Sequence, residues 1–260
     1  DEAALVAIHP TTGALDPGFD KPWATGAGIG RIFRAAAIAP DNSVVVNSEN
    51  GVTRAFNPNG TDKWTYSHAG GSTKTYGSPT IGTIGGKTTI FAASTNGVVA
   101  LQPNATTTPD VLWNFSTGFN SENITPAYDP VRNLVYVANT GNGDIIALDA
   151  TGGGNPAGTQ VWSWSPPTPV GVEASPALDA NGNVYIGNKD GDFFAISVYD
   201  FDTTSTTPAI DVNEAGSGYD PLAPPPAIII EGPDRGSLAA TATVNDGTSG
   251  GPPLPVSGTL

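Results

Sequence analysis

One pattern recurs along the first 200 residues, and it constrains the fold more than any other feature. Its fullest copy reads Ser175-Pro176-Ala177, Asp179-Ala180-Asn181-Gly182-Asn183, Val184-Tyr185-Ile186-Gly187, then Asp190-Gly191-Asp192-Phe193-Phe194-Ala195-Ile196. The Ser-Pro-Ala position returns as Ser78-Pro79-Thr80 and Thr125-Pro126-Ala127, with Ala35-Ala36-Ala37 as a version without proline. A second apolar element recurs at 44–46, 89–92, 134–137 and 184–186. A third recurs at 52–56, 98–101, 145–148 and 193–196, with an extra copy, Leu5-Val6-Ala7-Ile8, at the front. The alanine shared by the third element marks the period: Ala7, Ala55, Ala100, Ala147 and Ala195 lie 48, 45, 47 and 48 residues apart. A period of that length means stacked units, because one such unit cannot bury its apolar face alone.

A fourth element carries tryptophan, at Lys63-Trp64-Thr65-Tyr66, Val111-Leu112-Trp113-Asn114-Phe115 and Val161-Trp162-Ser163-Trp164, with Trp23 as a looser equivalent. The elements are short and rich in Val, Ile, Tyr, Phe and Trp, which suits pleated strands. Asn-Gly at 50–51, 59–60, 96–97 and 181–182 and Asp-Gly at 190–191 supply the positive-φ residues of tight hairpins. No stretch shows a sustained 3.6-residue apolar spacing, so helix should be scarce. Four hairpin-linked strands per repeat make the expected fold all-β, a β-propeller of four-stranded blades.

Two resemblances follow from these residues. Ala147-Leu148-Asp149-Ala150-Thr151-Gly152 followed by Trp162, with the hairpin at 175–191, resembles the PQQ-like β-propeller repeat, over about residues 5–198. That family includes quinoprotein dehydrogenases, an outer-membrane-assembly lipoprotein and surface proteins without enzyme activity. Blades begin near 35, 77 and 124, a further unit from 173 lacks its tryptophan strand, and a half-unit precedes them all. Either the ends pair to close a ring, or the chain is a fragment of a larger propeller. The missing initiator methionine fits processing or truncation at the front.

After this, 199–208 reads as a Thr-rich linker. Residues 209–260, with Gly216-Ser217-Gly218-Tyr219, Pro224-Pro225-Pro226-Ala227-Ile228-Ile229-Ile230 and Ala239-Ala240-Thr241-Ala242-Thr243-Val244, resemble the GSGY-type β repeat of phage and bacterial surface proteins. They are expected to form a small β module, too short to be comfortable alone, which either packs on a neighbour or is cut short before a second repeat.

Net charge is −14 with 10 basic residues, which argues against nucleic acid and against anionic lipid. No 18-residue apolar run is present, so no membrane insertion is expected. The absence of Cys and Met, with abundant Gly, Pro, Thr and Asn, leads to an expected extracellular, cell-surface or virion-exposed location.

Candidate chemistry is thin. Residues 81–88, Ile-Gly-Thr-Ile-Gly-Gly-Lys-Thr, miss a phosphate-binding loop by one residue and sit between strands. Gly26-Ala27-Gly28-Ile29-Gly30 has the wrong spacing for a dinucleotide site. His9 and His68, the only histidines, are expected on loops and partly exposed. Asp179, Asp190 and Asp192 crowd one hairpin with Asn181 and Asn183. Oxygen-rich loops can hold Ca²⁺, but the EF-hand spacing fails and turn formation accounts for these residues. Trp64, Trp113 and Trp162 are expected to pack between blades. Trp164 is read as facing the opposite side of its strand from Trp162, which makes one of the two an exposed contact.

Asn59, Asn104, Asn114 and Asn123 head glycosylation sequons. No catalytic, cofactor-binding or metal-binding residue is assigned and no cofactor is expected. The quinoprotein reading would imply Ca²⁺ ligands and a vicinal Cys pair, and the chain has no Cys. The expected function is a non-enzymatic structural or adhesive module of a cell surface, filament or virion. It would have a protein or glycan partner, or would self-assemble. The alternative is a partner-binding scaffold resembling the outer-membrane-assembly lipoprotein.

Overall fold

A computed structural model of the chain describes residues 5, 7–15, 30–69, 73–116, 119–153 and 155–196. The chain divides after Ile196. The linker at 199–208 and the module at 209–260 therefore lie outside the described residues, as do Trp23 and most of the glycine-rich stretch 26–30.

The described chain is all-β, with no helix among the described residues. Blade 1 is β1 (Ala37–Ile38), β2 (Val44–Ser48), β3 (Val52–Phe56) and β4 (Asp62–Ser67). Blade 2 is β5 (Thr80–Ile84), β6 (Lys87–Ser94), β7 (Gly97–Gln102) and β8 (Asp110–Phe115). Blade 3 is β9 (Ala127–Asp129), β10 (Leu134–Ala138), β11 (Ile145–Asp149) and β12 (Gln160–Trp164). Blade 4 has β13 (Ala177–Leu178), β14 (Val184–Gly187) and β15 (Phe193–Ile196). Each is an antiparallel meander in chain order, and the first strands of successive blades lie side by side. That is a propeller, built inner strand first. In the opening copy of the third element, Ile8 forms an isolated bridge with Leu15.

Turn chemistry sets the hairpins. Ile84 pairs with Lys87 around Gly85 and Gly86, whose φ values of 58° and 74° are what a two-residue primed turn requires. This hairpin occupies the stretch that nearly spells a phosphate loop. In blades 1, 3 and 4 an aspartate fills the same place. Asp41, Asp129 and Asp179 each accept backbone N–H bonds from residues two to four positions on.

Strand alternation gives each blade two faces, and the seams are made from them. Val45, Ala55 and Trp64 of blade 1 meet Ile90, Ala92, Val99 and Leu101 of blade 2. Phe91, Ala93, Val98, Ala100 and Trp113 of blade 2 meet Val135, Val137, Ile146 and Leu148 of blade 3. In each blade the tryptophan lies opposite the repeated alanine, and a bulge follows at Ala55/Phe56, Ala100/Leu101 and Ala147/Leu148. The small alanine leaves room for the indole. Trp113 also donates from Nε1 to the Ala150 carbonyl at 2.9 Å and lies on Gly158, where a Cβ would come within 2.9 Å of the ring.

Trp162 and Trp164 correct one expectation. Residues two apart share a strand face. Trp162 packs on Tyr136 with centroids 5.6 Å apart, and Trp164 on Phe194 of blade 4 at 4.9 Å. Both are half-buried on the side facing blade 4, so neither is the free contact that opposite facing would have provided.

Candidate functional site

Hydrogen bonds tie successive blades along their inner strands. The Ser78 N–H donates to Thr125 Oγ1 at 3.0 Å, and the Thr125 N–H donates to Ser175 Oγ at 2.8 Å. The hydroxyls of Thr125 and Ser175 thus cap the Ser/Thr-Pro position one blade earlier, which gives the repeat a use for a hydroxyl there. Beyond the second strand, Glu49, Thr95, Thr140 and Lys189 donate N–H bonds to the carbonyls of Arg31, Lys74, Asn120 and Gly171, at 2.8 to 3.1 Å.

A cleft of about 380 Å³ opens on the seam between blades 1 and 2, lined by Tyr66, His68, Ser94, Asn96, Asn114 and Ser116 among others. His68 belongs to it: it lies on the loop after β4, partly exposed, and its ring is engaged. Its Nε2 lies 2.9 Å from Thr53 Oγ1, the Thr53 hydroxyl donates to Asn47 Oδ1 at 2.7 Å, and Asn47 Nδ2 donates to the Gly77 carbonyl at 2.9 Å. The polarity of this chain is fixed from the far end, because a carbonyl can only accept. It follows that His68 carries a proton on Nε2, and the burial of the ring keeps it neutral. Burial lowers its pKa to about 4. The chain ties the edge of blade 1 to the entry of blade 2, and Tyr66 meets the imidazole edge-on at 5.0 Å. Asn96 is likewise engaged, donating to the Ala69 carbonyl and to Thr73 Oγ1. His9 is exposed, its Nδ1 accepting from the Thr11 N–H.

The blade 4 acids do not converge. The Asp179 carboxylate is held below its ordinary pKa, chiefly by the Asn183 amide, with the Asn183 and Asn181 N–H groups and the Tyr185 hydroxyl adding to it. Asp192 accepts from Asn188 Nδ2 at 3.0 Å. Among the described residues no three His, Cys, Asp or Glu side chains are grouped to hold a metal ion. Asp149, in the Ala-Leu-Asp-Ala-Thr-Gly motif, is nearly buried and accepts N–H bonds from Thr151, Gly152 and Asn155. Two sequon asparagines are turn formers: Asn59 and Asn104 accept from the backbone N–H groups of Thr61 and Thr106.

What the repeat did not announce is the far face of blade 4. The row that faces the next blade holds Thr53 and Ala55, Val98 and Ala100, and Ile145 and Ala147 in blades 1 to 3, all at most 1% exposed. In blade 4 the same row is Phe193 and Ala195. Phe193 is 71% exposed, and Ala195 is exposed as well.

A family model described as outer membrane protein assembly factor BamB matches residues 31–201. The chain belongs to this family. Membership agrees with the PQQ-like repeat and with the observed blades, and the match ends before the GSGY-like residues at 209–260. Among solved structures, a computationally designed protein, Ika8, is 14% identical with a TM-score of 0.45, over 63% of this chain and 45% of that one. The C-terminal WD40 domain of Sif2 is 12% identical with a TM-score of 0.48, over 65% and 46%. The chain spans less than half the length of either structure. No curated protein matches it.

Proposed function

We propose that this propeller is a non-enzymatic binding module that holds a protein partner and works outside the cell as part of a surface structure. The observation that carries this reading is the use made of the polar groups in the cleft. His68, Thr53, Asn47 and Asn96 are spent on each other and on backbone carbonyls at a blade seam, so they act as structural ties. Family membership supports a scaffold, since the family description is that of an assembly factor. The charge of −14, the lack of cysteine and the Thr-, Gly- and Asn-rich composition support an exterior location, and the GSGY-like tail supports a surface or filament setting.

A quinoprotein test separates this reading from its rival. The chain is mixed with pyrroloquinoline quinone and Ca²⁺ and assayed for dye-linked oxidation of alcohols and aldoses. In parallel, a photocrosslinker at Val131, which is 81% exposed, is irradiated on the producing cells. The expected result is no turnover above the free quinone and a discrete protein adduct in the cell-envelope fraction. Turnover that depends on the folded chain would overturn the proposal.

A further inference from the structure

The cleft between blades 1 and 2 is a neutral site in an acidic chain. The whole chain carries 24 acidic and 10 basic side chains. The cleft is lined by Tyr66, His68, Asn96, Val98, Asn114 and Ser116 among others, and no Asp, Glu, Lys or Arg is among the described residues of its lining. Such a wall has nothing to pair with a charge that leaves water, so the ligand it fits is uncharged.

Two of the lining side chains are held in one orientation by bonds made outside the cleft. His68 gives its Nε2 proton to Thr53 Oγ1 at 2.9 Å, which leaves Nδ1 as an acceptor. Asn96 gives away both Nδ2 protons, to the Ala69 carbonyl at 2.8 Å and to Thr73 Oγ1 at 2.9 Å, and keeps Oδ1 as an acceptor. The Tyr66 hydroxyl, the Asn114 amide and the Ser116 hydroxyl make no hydrogen bond with a described side chain or carbonyl, and Asn114 and Ser116 are exposed. These three can both donate and accept. Beside them stand the half-buried ring of Tyr66 and buried Val98.

We propose that this cleft binds a neutral saccharide. Sugar hydroxyls donate to the fixed acceptors of His68 and Asn96 and exchange bonds with Tyr66, Asn114 and Ser116, while the C–H face of the sugar ring packs on apolar surface. A carboxylate or phosphate, which only accepts, sets its lone pairs against those two acceptors and finds no cation. At about 380 Å³ the cleft is at the small end of ligand sites, roughly 300–1,000 Å³, which suits a single sugar unit such as the end of a glycan. Acceptors locked before the ligand arrives reduce the ordering cost of binding. The inference stands beside the protein-partner reading and does not rest on it.

The test is saturation-transfer NMR and titration of the 260-residue chain with D-glucose, D-galactose, D-mannose and N-acetyl-D-glucosamine in turn. D-glucuronate and D-glucosamine, which carry a charge on the same ring, are the controls. We expect saturable binding of at least one neutral sugar, about tenfold or more tighter than either control. Asn114→Ala and Ser116→Ala should each weaken it by about fivefold, the loss of one hydrogen bond. Both variants should keep the wild-type melting temperature, because the positions are exposed. The inference is overturned if no neutral sugar binds, if the charged sugars bind as tightly, or if both variants bind like the wild type. Those outcomes leave the crosslinked protein adduct and the quinone assay untouched, so failure of the sugar site is distinguishable from failure of the binding-module reading.

Discussion

The seam between blades 2 and 3 and the outer face of blade 4 are built from the same positions of one repeat, yet they sit at opposite extremes of burial. At the seam, Val98, Ala100, Phe91 and Trp113 are packed against a neighbouring sheet; on blade 4, Phe193 and Ala195 face solvent. The contrast teaches that a residue's role in a repeat protein depends on its neighbour as much as on its type. Stability in such arrays is a sum of unit and interface terms, so a unit whose interface residues are exposed is the weaker one.

The largest expected effect comes from putting the same charge in both places. Ala147→Asp buries an unpaired carboxylate where the wild-type residue is 0% exposed, and should cost about 4 kcal/mol or more. In a domain of this size that lowers the melting temperature by about 10 °C. Ala195→Asp should change stability by less than about 0.5 kcal/mol. Calorimetry of the two variants sharpens the comparison, and equal losses would break it.

Carboxylates give the next contrast. Asp149→Ala strips the acceptor from the N–H groups of Thr151, Gly152 and Asn155 and should cost about 2 kcal/mol by denaturant unfolding. Asp192→Ala on the exposed blade 4 hairpin should cost less than about 0.5 kcal/mol.

A comparable effect is a pH dependence. His68 is neutral in the fold with a pKa of about 4, below the 6.5 of an unfolded histidine, so the unfolded chain binds more protons between those values. Stability is therefore complete above about pH 6.5 and declines as the pH falls toward 4, by up to about 2 kcal/mol once solvent at the cleft mouth is allowed for. Asp41 titrates in a separate window. Burial opposes its charge, but Lys63 and Ser43 prevail and hold it at about 2, so its contribution is lost only below about pH 3.8. His68→Gln should flatten the upper window and leave the lower one unchanged; an unaltered slope between pH 6.5 and 4 would exclude the neutral tie.

Most strand positions were legible because alternation and turn residues are local signals. The elements at 44–46, 52–56 and 63–66 appear as β2, β3 and β4 with boundaries shifted by at most two residues. The repeated alanine and tryptophan were legible as a pattern, but their pairing across a bulge depends on register, which spacing alone does not fix. The facing of Trp162 and Trp164 was misread against the period of two. The His68 chain was invisible because Thr53, Asn47 and Gly77 are brought to it by sheet pairing and blade stacking. The Ser-Pro position was visible as a motif, while its cap on the preceding blade exists only across a seam. Exposure of Phe193 was hidden for the same reason, since its own sequence context looks like core.

The most direct test of the account is amide hydrogen exchange in the free chain, comparing β7 with β15. Burial on both faces and strands on both edges should give Val98, Val99 and Ala100 protection near that of global unfolding. Phe193, Phe194 and Ala195 should exchange orders of magnitude faster, through local opening of a blade whose outer face is exposed. Equal protection in the two strands would mean that the outer face of blade 4 is already covered, and would contradict the claim that it is an open copy of a blade seam.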